Sequence, residues 1–137
     1  MRRQATPNGT LVLDGEGLAK VVARDRELTA WLGVAHADDF RVVTSAATLV
    51  EVMHPRTNRQ ALDWTLSRLV VEPVTAEIGR RAASLLAEAG LHGHKYAIDA
   101  MVAATALASP RPVTVLTSDP DDFSVLVESR HVTVVKV

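Results

Sequence analysis

The sequence predicts an α/β fold, helices layered on a largely parallel sheet, and three observations carry that reading. Short runs of Val and Leu alternate with stretches whose apolar residues recur at helical spacing. Apolar residues make up 47% of the chain and aromatics only 4%, so the core is built of Ala, Val and Leu, as in helices packed tightly on a sheet. The 137 residues suit one domain, which at this size buries about two thirds of its unfolded surface.

The elements follow in order. Residues 1–9, with Pro7, Asn8 and Gly9, are polar and read as a flexible lead-in to a single domain over 10–137. Thr10-Leu11-Val12-Leu13 is a buried strand stopping at Asp14-Gly15. Leu18, Val21 and Val22 begin a helical pattern, and a second helix over Glu27–Ala37 carries Leu28, Trp31, Leu32 and Ala35 along one stripe. Arg41-Val42-Val43 is the second strand; Thr44 or Ser45 caps a helix from Ala46 to Met53, which Pro55 stops. A helix from Thr57 to Leu69 follows, and Val70-Val71 leads through Pro73 to Thr75, a good N-cap. Ile78, Ala82, Leu85, Leu86 and Ala89 line the next helix, which Gly90 ends. After a polar loop, His92–Lys95, the stretch Tyr96–Ala108 is apolar nearly all round, as a buried helix is. Val113–Leu116 is a strand, Pro120–Val127 a short helix and Val132–Val135 a last strand.

Composition excludes several chemistries. The absence of cysteine removes disulfides, thiolate nucleophiles and Cys-based zinc sites. Fifteen basic and sixteen acidic residues leave a net charge of −1, so a polyanion would have to be held by a local patch. Arg2 and Arg3 precede a polar stretch and no apolar run spans a membrane, so a cytoplasmic location without membrane contact is expected.

Four acids stand where acids are unusual. Asp14 and Asp119 each follow a buried strand, and ligands of open parallel sheets bind beyond the strands' carboxyl ends. Asp99 continues the face formed by Val102, Ala103 and Ala106 on the most apolar helix. Glu51 is the single charge in the helix containing Ala46, Ala47, Leu49, Val50 and Val52. A carboxylate in such surroundings is costly unless paired or bound to a metal. Taken singly, Asp14-Gly15 could be a turn, Asp119-Pro120 a helix cap, Asp99 a charge favourable to a helix N-terminus, and Glu51 a residue emerging to solvent. Taken together, carboxylates about 4 Å apart repel by about 4 kcal/mol at an effective dielectric of 20, which a cation relieves. Oxygen-only ligands favour Mg2+ or Mn2+, which leave room for water and phosphate oxygens and suit phosphodiester hydrolysis.

Four segments carry a resemblance. Leu11-Val12-Leu13-Asp14, then Thr44 to Val52 (TSAATLVEV), then Ile98 to Leu107 (IDAMVAATAL), then Leu116-Thr117-Ser118-Asp119 stand in the order found in PIN-domain nucleases. The chain resembles in particular the VapC-like toxins of bacterial toxin–antitoxin pairs. That resemblance implies a three-layer α/β/α fold with a central, mostly parallel sheet of four to five strands. It also implies an Mg2+- or Mn2+-dependent ribonuclease, an RNA substrate, a homodimer and inhibition by a cognate antitoxin protein. Asp14 and Asp99 would be the principal metal ligands, joined by Asp119, with Glu51 completing the cluster and Asp122 a fifth acid. Thr117 would orient Asp119 by a hydrogen bond. Where the family usually has a small hydroxyl residue and then Ser or Asn after the first Asp, this chain has Gly15 and Glu16. That departure supports an alternative: a catalytically weak or inactive PIN-like module that binds RNA or a protein.

Arg56, Arg59 and Lys95 are candidate contacts for RNA backbone, against the default of a solvated charged face. His92 and His94, without further ligands nearby in sequence, read as solvated. Trp31 and Trp64 fall in apolar stripes and read as core or dimer packing rather than base-stacking platforms. A phospho-accepting receiver domain also has acids at strand ends, but Val70-Val71 is followed by Glu72-Pro73 and not by the Asp it needs.

Overall fold

A computed structural model describes residues 6–128 and 130–137. Its sheet is formed by β1 (Gly9–Leu13), β2 (Phe40–Ser45), β3 (Val70–Glu72), β4 (Val113–Thr117) and β5 (Val132–Lys136). The strand order is β3-β2-β1-β4-β5 and every pairing is parallel. The central strand, β1, aligns Leu13 with Thr44 on one side and with Leu116 on the other. From β1 the chain builds outward through β2 and β3, then returns to lay β4 against the other side of β1. The carboxyl ends of β1 and β4 therefore flank the switch point of the topology, where such sheets hold ligands.

All-parallel sheets need both faces covered, and two apolar clusters do this here. Val12, Val43, Val113 and Val115 pack with Ala82, Leu85, Ala100, Val102 to Ala104, Ala106, Phe123, Leu126 and Val127. These come from α5 (Ala76–Ala89), α6 (Gly93–Leu107) and α7 (Pro120–Val127). On the opposite face Leu11, Leu13, Val42 and Leu116 pack with Leu18, Leu28, Ala35, Val52 and Leu62. Those lie on α1 (Gly15–Val22), α2 (Arg26–Ala37), α3 (Leu49–Val52) and α4 (Arg59–Leu66). The result is the three-layer α/β/α arrangement, with five strands. Alternation along β1, Leu11 and Leu13 to one side and Val12 to the other, is the strand period of two made visible.

Several boundaries differ from those expected. Residues 1–5 of the lead-in lie outside the described residues, whereas Gly9 already belongs to β1 and Asn8 bonds to the Asp38 and Asp39 carbonyls. The helix expected over Ala46–Met53 is a 3-10 turn, Ala46–Thr48, followed by the single α turn of α3. Hydroxyl side chains cause this: Ser45 Oγ accepts from Ala47 N, and Thr48 Oγ1 donates back to the Ser45 carbonyl. The helix expected over Thr57–Leu69 is α4, Arg59–Leu66, because Asn58 caps it through Ala61 N and Thr57 is bonded to the Val52 carbonyl. Conversely, α6 begins at Gly93: the backbone N–H groups of Lys95 and Tyr96 both reach the His92 carbonyl, so the polar stretch is a first helical turn rather than a loop. α5 starts at the Thr75 cap and ends at Gly90, whose φ of 66° is the left-handed geometry glycine adopts without strain.

Candidate functional site

Asp14 ends β1 and caps α1. Its Oδ1 accepts from Gly17 N at 2.7 Å, and the residue is only 6% exposed. Burial is the main cause that raises its carboxyl above the ordinary range, opposed by hydrogen bonds from Thr117 and Gly17 and reinforced by Glu16 and Asp119. Asp14 is thus the helix cap that the turn reading expects, and its carboxyl also faces the other acids.

Glu51 is carried by α3, whose placement depends on a buried hydroxyl network. Thr44 Oγ1 donates to the Leu13 carbonyl at 2.8 Å, tying the end of β2 to the end of β1, and lies 2.8 Å from Thr48 Oγ1. The short turn that follows brings Glu51 over the start of α1, where its Oε1 lies against Gly15. Glu51 is exposed on its outer side. Its carboxyl is nevertheless raised, first by desolvation, then by Asp14 and Glu16.

Asp99 projects from the second turn of α6, partly buried, just before the mostly buried segment Ala100–Ala106, in which Thr105 is the single polar residue. Desolvation pushes its carboxyl up to about 6, and Glu51, Asp14, Asp122 and Asp119 each add repulsion. Asp119 is the residue before α7; its side chain makes no cap hydrogen bond, so the simple helix-cap reading does not account for it. Phe123, fully buried, anchors that helix and thereby the positions of Asp119 and Asp122. The structure therefore brings Asp14, Glu51, Asp99, Asp119 and Asp122 to the carboxyl end of β1 and β4, with Glu16 beside them.

Thr117 reaches Asp119 through the backbone. Its fully buried hydroxyl accepts from the backbone N–H of Asp119 at 2.9 Å and is hydrogen-bonded to the Asp14 carboxyl. It orients the Asp119 backbone and the Asp14 side chain, joining the two strand ends. The cap expected at Thr44 or Ser45 is Ser45, whose side chain accepts from Ala47 N; the sequence reading did not foresee the bonds of Thr44 and Thr48 to backbone carbonyls.

No cation relieves these acids. Among the described residues the ion pairs are Arg41–Glu72 and Arg130 with Glu88 and Glu128, all elsewhere. Nor, among the described residues, do any three His, Asp or Glu side chains already form a metal cage. The donor set still fits a hard divalent cation. Mg2+ typically takes one or two carboxylates and fills its remaining positions with water and phosphate oxygens, so it needs no three-carboxylate cage. Uncompensated carboxylates also repel one another until such an ion draws them in.

A cleft of about 490 Å³ opens beside the cluster, bounded by Gly15, Glu16, Ala19, Glu51, His54 and Arg56 among others. His54 Nδ1 accepts from Arg56 N at 3.3 Å, which leaves Nε2 as the ring's donor. Arg59 does not line this cleft. Lys95 lies 5.2 Å from the Tyr96 ring centre, and His92 and His94 are exposed. Trp31 packs on the core, but Trp64 is 55% exposed between Arg24 and Arg68, a surface cation–π stack rather than core. No described helix is long and apolar enough to cross a membrane.

Solved structures share this architecture. VapBC2 from Rickettsia felis, bound to a promoter DNA fragment, aligns with a TM-score of 0.70 at 18% identity, covering 93% of this chain and 98% of that one. A toxin–antitoxin complex from Klebsiella pneumoniae gives 0.65 at 22% identity, covering 90% and 95%. FitAB bound to an IR36 DNA fragment gives 0.61 at 19%, covering 92% and 94%. No curated protein matches the sequence significantly. The family profile described as PIN domain matches residues 11–127, from within β1 to the end of α7, and takes in Asp14, Glu51, Asp99, Asp119 and Asp122. The chain belongs to the PIN domain family.

Proposed function

We propose that this protein is a divalent-metal-dependent ribonuclease and the toxin of a toxin–antitoxin pair. The observation that carries the reading is a set of acids from four separate parts of the chain whose mutual repulsion helps raise the carboxyls of Asp14, Glu51 and Asp99 at the strand ends, with none of them in an ion pair among the described residues. Asp14, Asp99 and Asp119 would hold Mg2+ or Mn2+, with Glu51 and Asp122 at its edge. When bound, such an ion supplies positive charge toward a phosphodiester oxygen and acidifies water.

The chain's own residues do the rest. Asp14 is held by Thr117 and Gly17, which fixes the direction of its carboxyl. Glu51, open to the cleft and raised above the ordinary carboxylate range, is placed to take the proton of an attacking water. The water oxygen bonds to phosphorus as one bridging P–O bond breaks. Arg56 and His54 Nε2 offer donors to RNA backbone along the cleft, while Arg59 and Lys95 lie outside its walls. The antitoxin partner is supported by the likeness to a toxin–antitoxin complex and to VapBC2. A homodimer belongs to the same proposal, and sedimentation of the purified chain tests it.

The test is Asp99→Asn with RNA and Mg2+ or Mn2+. Cleavage should fall to background, and undiminished cleavage overturns the reading. The lack of a ready-made metal cage among the described residues favours a second reading, a PIN-fold module that binds without cutting. Calorimetry separates the two, since the enzyme should show an Mn2+ site that Asp14→Asn removes.

A further inference from the structure

On the proposed nuclease reading, the structure assigns Gly15 as a positioning residue: its bare Cα is the notch that lets the Glu51 carboxyl lie beside Asp14. A Cβ at residue 15 would stand 2.5 Å from Glu51 Oε1, 3.1 Å from its Cδ and 3.3 Å from its Cβ. The first of these is closer than any real Cβ contact. Backbone conformation does not require a glycine here, because Gly90 is the single glycine with positive φ among the described residues. Helix formation disfavours it, since glycine is the poorest helix former apart from proline. Gly33 and Gly79, also within helices, have open space where a side chain would go.

What fills the space at Gly15 is a carboxylate of the acid cluster. The contact also joins the start of α1 to α3, so residue 15 sets how far Glu51 reaches toward Asp14 and Asp99 and how far it turns into the neighbouring cleft. Because the obstructing atoms are mostly the end of a flexible side chain, a methyl group at residue 15 displaces the carboxyl rather than the fold.

The test is a cycle of Gly15→Ala with Glu51→Gln and Glu51→Ala, read by Mn2+ calorimetry and by melting in chelator. Gly15→Ala should weaken Mn2+ binding about tenfold in the otherwise native chain, and not at all in the Glu51→Gln background. In chelator it should raise the melting midpoint more in the Glu51→Ala background, where the notch is empty, than with Glu51 present. Folding of the double variant where Gly15→Ala alone does not fold supports the assignment equally. Unchanged Mn2+ affinity in Gly15→Ala, or the same effect with and without Glu51, overturns it. If the native chain binds no Mn2+ and cuts no RNA, the nuclease reading fails, and the melting cycle alone decides the notch.

Discussion

Replacing Asp99 with Asn should make the metal-free protein more stable while removing its metal response. The native carboxyl is pushed up to about 6 from an ordinary 3.8 by burial and by Glu51, Asp14, Asp122 and Asp119. That difference corresponds to about 3 kcal/mol of disfavoured charge at neutral pH. The group is only partly buried, so solvent screening reduces the recoverable part to about 1 kcal/mol. The sign follows from proton binding. Between about pH 4 and 6 the folded carboxyl holds a proton that the unfolded one has released. Stability therefore falls as pH rises through that window, and the penalty is complete above it. In chelator at pH 7.5, Asp99→Asn should melt about 4 °C higher than the native protein, with the gap reduced to about half at pH 5 and nearly closed below pH 4. Mn2+ should raise the native midpoint and leave the variant's unchanged. A variant that melts lower than native in chelator at pH 7.5 would refute the idea that these acids repel one another across a shared site.

Three further outcomes follow. Thr117→Val removes the hydroxyl joining Asp14 to the Asp119 backbone, and should cost about 1–3 kcal/mol in a urea titration and 10–100-fold in RNA cleavage. Arg56→Ala should weaken RNA binding and reduce the slope of log affinity against log salt by about 0.7, whereas Arg59→Ala, outside the cleft, should leave that slope unchanged. Asn58→Ala removes the α4 cap and should lower stability by about 1 kcal/mol in the same titration without changing Mn2+ affinity.

The strands were legible because a covered parallel sheet writes itself as short, mostly apolar runs, and Leu11–Leu13 and Val113–Leu116, broken only by Thr114, are such runs. The acids were legible as charges in those surroundings, Asp99 above all. What escaped were features decided by partners distant in sequence. Nothing near Thr117 announces that its hydroxyl reaches Asp14 on another strand. Gly15 and Glu16 looked like a departure from pattern because the side chain that makes sense of Gly15 lies thirty-six positions later, at Glu51. The start of α6 was hidden by Gly93 and His94, poor helix formers held in place by the His92 carbonyl. Trp64 suits an apolar stripe by spacing, yet two arginines give it a surface role.

The pairing of β4 with β1 also bears on when the protein can act. The Thr10 hydroxyl donates to the Pro110 carbonyl, a hundred residues further on, and Leu13 stands opposite Leu116. During synthesis, then, a chain cut short before the fourth strand possesses Asp14, Glu51 and Asp99 but has neither Asp119 nor the Thr117 hydroxyl that steadies Asp14. On the proposed reading, the acid cluster is complete only after the fourth strand has joined the sheet.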